Sequence, residues 1–235
     1  MKRHNWSGLP VVAAIIVGLG SGSALADETV NIGGSRAVLI KPNTPRGSVI
    51  LMPGGDGSIA ADNNGEIRAL KFNLLVRTRQ DFAARGLAVL VVDAGTPLDG
   101  AVKFMAGIKR PVTVIATSRG TLRAAAGIAR GARPDALVLI SGMLSDESGS
   151  AQNVMSILGS PSSLPPTLVI HHRKDACQAT LPAGVEPFVE WSAGRARAIM
   201  LKAGTSEGDP CQARAYHGFN GLDREIVPIS ANFQG

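Results

Sequence analysis

The chain has 235 residues, with 24 Lys and Arg against 18 Asp and Glu, for a formal charge of +6. Beyond Lys2 and Arg3, its basic residues are scattered from Arg36 to Arg224 and it holds a single Tyr, so it lacks both the basic stripe and the aromatic platforms that nucleic-acid binding needs, and no nucleic-acid partner is expected. The length suits one domain with a sizeable core.

Taken in order, Lys2 and Arg3 precede an apolar segment from about Leu9 to Leu19, and Ala24-Leu25-Ala26 stands before Asp27 and Glu28. This pattern predicts a cleavable signal peptide over residues 1–26, leaving residues 27–235 as one domain exported to the periplasm or beyond. No later segment is long and apolar enough to cross a bilayer, so no stable membrane insertion is expected after cleavage. Cys177 and Cys211 are an even pair in a chain bound for an oxidising compartment, which predicts a disulfide.

Glu28 to Ile32 and Arg36 to Lys41, separated by Gly-Gly-Ser, read as an antiparallel pair at a sheet edge. Ser48 to Met52 is a buried strand opening into Pro53-Gly54-Gly55-Asp56-Gly57 and a polar loop through Glu66. Leu70 to Arg85 has the spacing of one amphipathic helix, with Gly86 as its cap, and Leu87 to Val92 is the next strand.

The unit then repeats. Strands are predicted at Val112 to Thr117, Ala136 to Ile140, Thr167 to His172 and Arg197 to Leu201. Helices follow Ser118, lie near Gln152 to Leu158 and Val185 to Trp191, and close the chain from Leu222 to Phe233, where Pro228 interrupts. Alternation of this kind predicts an α/β fold, a mostly parallel sheet with helices on both faces, whose site lies at the carboxyl ends of the strands. Between Ala94 and Arg110 only Ala101 to Ile108 read as helix, barely two turns, which would leave one sheet face thinly covered.

The motif that carries chemistry is Ala116-Thr117-Ser118-Arg119-Gly120, where an apolar strand turns into a helix. A sharp turn there forces Ser118 into strained geometry, needs small neighbours at Ala116 and Gly120, and projects the hydroxyl at the strand's end. A serine nucleophile needs a base, and the base needs an acceptor to hold its tautomer. Of the histidines after the signal segment, His171 and His172 end a strand, whereas His217 lies in a glycine-flanked loop after the last strand. Asp175, just past the strand ending at His172, is the expected acid, with Asp146 as second choice and Asp93 earlier in the chain. A bridge from Cys177 to Cys211 would tie the acid loop to the base loop.

Ser118, Asp175 and His217 in that order, with the Ala-x-Ser-x-Gly turn and the Pro-Gly-Gly-Asp-Gly loop, resemble the α/β-hydrolases, in particular small secreted members related to dienelactone hydrolases. The resemblance spans nearly all of the chain after residue 26. It implies Ser118 as nucleophile, His217 as base and then acid, Asp175 as orienting carboxylate, and an oxyanion held by the N–H of Arg119 with that of Gly55 or Asp56. It further implies an ester or related acyl bond in a small molecule as substrate, and neither cofactor nor metal. Ala116 stands where the family has glycine, and Pro53 where many members have His. Ser141 to Pro166 lies where members insert a lid and is too short for a large cap domain.

Arg119 is expected to pair with a nearby acid rather than to meet a substrate carboxylate. Two other functional readings stand beside the hydrolase. One is an exported metal-binding protein using His171, His172, Asp175, Cys177, Cys211 and His217, although the chain has no short Cys-x-x-Cys or His-Glu-x-x-His spacing. The other is a catalytically silent hydrolase fold used for binding.

Overall fold

A computed structural model describes residue 1 and residues 25–234. The charged start and apolar core of the predicted signal peptide lie outside the described residues. Eight strands form one sheet: β1 (Glu28–Ile32), β2 (Ser35–Ile40), β3 (Gly47–Met52), β4 (Leu87–Val92), β5 (Val112–Thr117), β6 (Ala136–Ile140), β7 (Thr167–His172) and β8 (Ala196–Leu201). Their spatial order is β1-β2-β4-β3-β5-β6-β7-β8. The β1 and β2 edge is antiparallel, as its Gly-Gly turn predicts, and every pairing from β4 through β8 is parallel.

Every residue of β3, β4, β5, β6 and β7 is buried, which is why these strands read as mostly apolar runs rather than alternating ones. Helices cover both faces. Ile50, Leu90, Val114 and Ala116 join a core with α3 (Leu98–Ile108), α4 (Arg119–Ala129), α5 (Val154–Leu158) and α6 (Val185–Trp191). Val49, Leu51, Val89 and Ile115 point the other way, into a core with α1 (Leu74–Arg77), α2 (Arg79–Ala84) and α7 (Asp223–Ala231). Each such large side chain contributes about 1.5–3 kcal/mol by leaving water.

Three expectations are corrected, the third being the break at Pro228. The single helix over Leu70 to Arg85 is broken: Leu70 adopts a left-handed φ of 54°, Asn73 caps α1 by accepting from Leu75 N–H, and Thr78 ends it by donating its hydroxyl to the Leu74 carbonyl. The thinly covered face does not exist either. Helix α3 starts at Leu98 and runs 11 residues, because Pro97 presets φ at the N-cap and Asp99 suits the first turn, where the helix dipole favours a carboxylate. Leu98, Ala101, Val102 and Met105 are buried, and Leu98 packs so closely on α4 that a Cβ at Gly127 would sit 2.6 Å from it. Between β6 and β7 there is only α5 with single 3₁₀ turns at Asp146–Ser148 and Pro161–Ser163, and no large cap. Pro228 lies inside α7 without ending it. Among the described residues no helix is long and apolar enough to cross a membrane.

Candidate active site

Five loops, those after β3, β5, β6, β7 and β8, meet at one cleft of about 530 Å³. Between β5 and α4, Ser118 has φ 51° and ψ −127°, a conformation that costs a non-glycine residue energy and persists only where the surroundings impose it. Ser118 N–H donates to the Ile140 carbonyl at 3.0 Å, and Thr121 donates its hydroxyl back to the Ser118 carbonyl at 2.6 Å. The small neighbours are required: any Cβ at Gly120 would collide with the Met52 carbonyl, and one at Gly54 would lie 2.9 Å from Ser118 Cβ.

Asp175 and His217 come together. His217, in a 3₁₀ turn (Tyr216–Gly218) between β8 and α7, places Nδ1 3.0 Å from Asp175 Oδ2. The carboxylate is buried, and its other oxygen accepts Cys177 N–H at 2.9 Å. Thr180, absent from the sequence reading, donates to Asp175 Oδ2 at 3.1 Å and lies 2.9 Å from His217 Nδ1. Ser141, also missed, donates its hydroxyl to the His217 carbonyl at 2.8 Å and so fixes the base loop to the end of β6. Ser118 and His217 line the same cleft without a hydrogen bond between them.

The other candidate acids lie elsewhere. Asp146 accepts from the Asn153 amide at 2.7 Å, and Asp93 accepts Ile59 N–H at 3.1 Å. The cysteines are joined, Cys177 to Cys211, so the acid loop and the base loop are covalently linked.

The two strand-end histidines support the site from below. His172 accepts Lys174 N–H on Nδ1 at 3.0 Å and donates from Nε2 to the Ala203 carbonyl at 2.8 Å, which fixes one neutral tautomer, and its ring stacks on Tyr216 at 4.4 Å. His171 Nδ1 reaches the His172 carbonyl at 3.3 Å, while its buried Nε2 has no hydrogen-bond partner and lies 4.0 Å from Asp175 Oδ2. Burial pushes the His171 imidazole below its ordinary range against the opposing pull of Asp175.

These contacts dismantle the metal ligand set considered above. Both thiols are spent in the disulfide and both His172 nitrogens are engaged. Among the described residues, no group of three or more His, Cys, Asp and Glu side chains is arranged to hold a metal ion.

Gly54 and Gly55 line the cleft beside Ser118 and Arg119, whereas Asp56 does not and instead turns its carboxylate back on Ser58 N–H at 3.0 Å. Arg119, first residue of α4, has a backbone N–H with no intrahelical partner. Its side chain is exposed and makes no ion pair among the described residues, which corrects the expected pairing: the nearby carboxylates of Asp56 and Asp93 act on Arg123 instead. Leu70, Phe72, Leu74, Met143 and Ala179 give the cleft apolar walls.

No family model and no curated protein sequence matches the chain. Solved structures do resemble it. An esterase from Pyrococcus furiosus, 15% identical, superposes with a TM-score of 0.62 over 90% of this chain and 92% of that one. A dienelactone hydrolase from Anabaena variabilis, 15% identical, gives 0.57 over 89% and 96%. A puromycin-hydrolysing peptidase from Mycobacterium tuberculosis, 13% identical, gives 0.59 over 90% of this chain but 40% of its own. Proteins with such different substrates share the architecture and not the chemistry of one pocket. By its sheet order, its two helical layers and these likenesses, the chain has the α/β-hydrolase fold.

Proposed function

We propose that this protein is a serine hydrolase that cleaves an ester or related acyl bond of a small molecule through an acyl-enzyme on Ser118. The observation that carries the reading is the buried Asp175 and His217 pair, 3.0 Å apart, on the cleft that the strained Ser118 also lines. With Nδ1–H committed to Asp175, His217 keeps Nε2 free to accept a proton.

In the first half-reaction Ser118 Oγ bonds to the substrate's carbonyl carbon and its proton passes to His217 Nε2. The carbonyl oxygen takes the negative charge and is held by the N–H of Arg119 and, of the two N–H groups considered, that of Gly55, since Gly55 borders the cleft. Collapse of this intermediate breaks the bond to the leaving group, which departs with the proton from His217. Water then attacks the acyl-enzyme by the same route in reverse and releases the acid. None of these steps calls on a cofactor.

The esterase and dienelactone hydrolase likenesses support a hydrolase. The disulfide fits an exported protein, and we propose that residues 1–26 are the cleaved signal. The test is turnover of short-chain aryl esters by the purified protein and by Ser118→Ala. Hydrolysis lost in the variant supports the reading; equal rates in both overturn it.

A further inference from the structure

Arg123 sits one turn into α4 beyond Arg119, and its guanidinium makes no ion pair or hydrogen bond with a carboxylate among the described residues, Asp56 and Asp93 acting on it only from a distance. It donates instead to two carbonyls of a single loop, those of Pro53 and Gly55, the latter at 3.4 Å. Burial depresses the basicity of this guanidinium, with Asp56 and Asp93 opposing. A half-buried cation held only by main-chain oxygens is a costly way to decorate a helix, so its two acceptors are the part to explain.

Those acceptors set the direction of the loop's donors. In a trans peptide the carbonyl of one residue and the N–H of the next point opposite ways. Drawing the Pro53 and Gly55 carbonyls toward Arg123 therefore turns the N–H groups of Gly54 and Asp56 away from it. The Gly54 carbonyl is in turn taken by Gly57 N–H at 3.1 Å, which aims Gly55 N–H away from the turn's interior. None of the three N–H groups donates to a protein acceptor among the described residues. Gly57 makes room for the clamp: its φ is 81°, and a Cβ there would sit 2.6 Å from Arg123 Cζ.

We propose that Arg123 is a positioning residue that, by holding the carbonyls of Pro53 and Gly55 on either side of the Gly54–Gly55 peptide, keeps the Gly55 N–H presented to the cleft, so that it meets the oxyanion formed on attack by Ser118. The role rests on the serine hydrolase reading above. Arg123 touches no substrate atom; it acts through the loop, so its loss weakens binding of the transition state and leaves binding of the ester unchanged.

The experiment compares wild type, Arg123→Ala and Arg123→Lys with p-nitrophenyl acetate, with thermal melting as the control for folding and guanidinium chloride at low concentration as a chemical rescue. Expected for Arg123→Ala is a fall in kcat of about 10²-fold, the scale of a misplaced catalytic group. KM stays within about threefold, since ground-state contacts are untouched. Guanidinium restores part of kcat to this variant and nothing to wild type, and Arg123→Lys falls between the two. Unchanged kcat in Arg123→Ala, or a loss that follows the melting temperature and resists guanidinium and lysine alike, overturns this role while leaving the hydrolase standing. A wild type that hydrolyses no ester and takes no covalent acyl or phosphonyl label overturns the hydrolase reading and this role with it.

Discussion

Thr180 Oγ1 lies 2.9 Å from His217 Nδ1 and donates to the same Asp175 oxygen that the imidazole reaches. The hydroxyl thus braces the carboxylate against the ring, and all three groups are buried. Thr180→Val keeps the shape and removes the donor. We expect kcat to fall several-fold and stability to drop by about 1 kcal/mol, read from ester turnover and urea unfolding. An unchanged kcat would make Thr180 a packing residue only.

Asp175→Asn is expected to cost about 10⁴-fold in kcat, because an amide offers His217 the wrong tautomer. Asp146→Asn loses only part of a hydrogen bond to Asn153, so its kcat should stay within about twofold. The opposite ranking would reassign the acid.

The Cys177 to Cys211 bridge spans a sequence separation of 34. By the chain-entropy argument, Cys177→Ser with Cys211→Ser should lower stability by about 3–4 kcal/mol in denaturant unfolding. Because the bridge joins the loops of Asp175 and His217, kcat in the surviving folded protein should fall as well. A variant that loses stability and keeps kcat would restrict the bridge to a structural role.

His171 gives a pH prediction with a definite sign. Its burial holds the folded imidazole neutral to lower pH than in the unfolded chain, although Asp175 opposes and His217 adds to the effect. Between the ordinary imidazole value near 6.5 and the lower folded value, the unfolded state binds more protons, so stability falls as pH drops through that window. The slope from one such group is at most about 1.4 kcal/mol per pH unit. Urea unfolding from about pH 8 to about pH 5 should show a shallower acid decline in His171→Asn than in wild type. Parallel declines would remove His171 from the account.

The strand and helix alternation was legible because buried parallel strands such as β4 and β6 are continuous apolar runs with no polar residue to blur them. The placement of Ser118 and His217 on one cleft, with Asp175 beside His217, was legible because each follows a strand. The first turn of helix α3 is hard to read because Asp99 and Gly100 are weak helix formers, and only the packing of Leu98 on Gly127 reveals it. Thr180 and Arg123 carry no sequence signal: a threonine five residues past an aspartate and an arginine on a helix face become informative only when the fold brings them to Asp175 and to the Pro53 carbonyl. A surface cation such as Arg119 commonly finds a carboxylate, but here the nearby acids Asp56 and Asp93 act on Arg123.

The central claim is that Ser118 is the nucleophile. Incubating the purified protein with a fluorophosphonate and mapping the adduct by peptide mass spectrometry tests it most directly. The account predicts one adduct per chain, on Ser118, with none in Ser118→Ala and slow labelling in Asp175→Asn. An adduct on another residue, or none on a folded wild type, would contradict it.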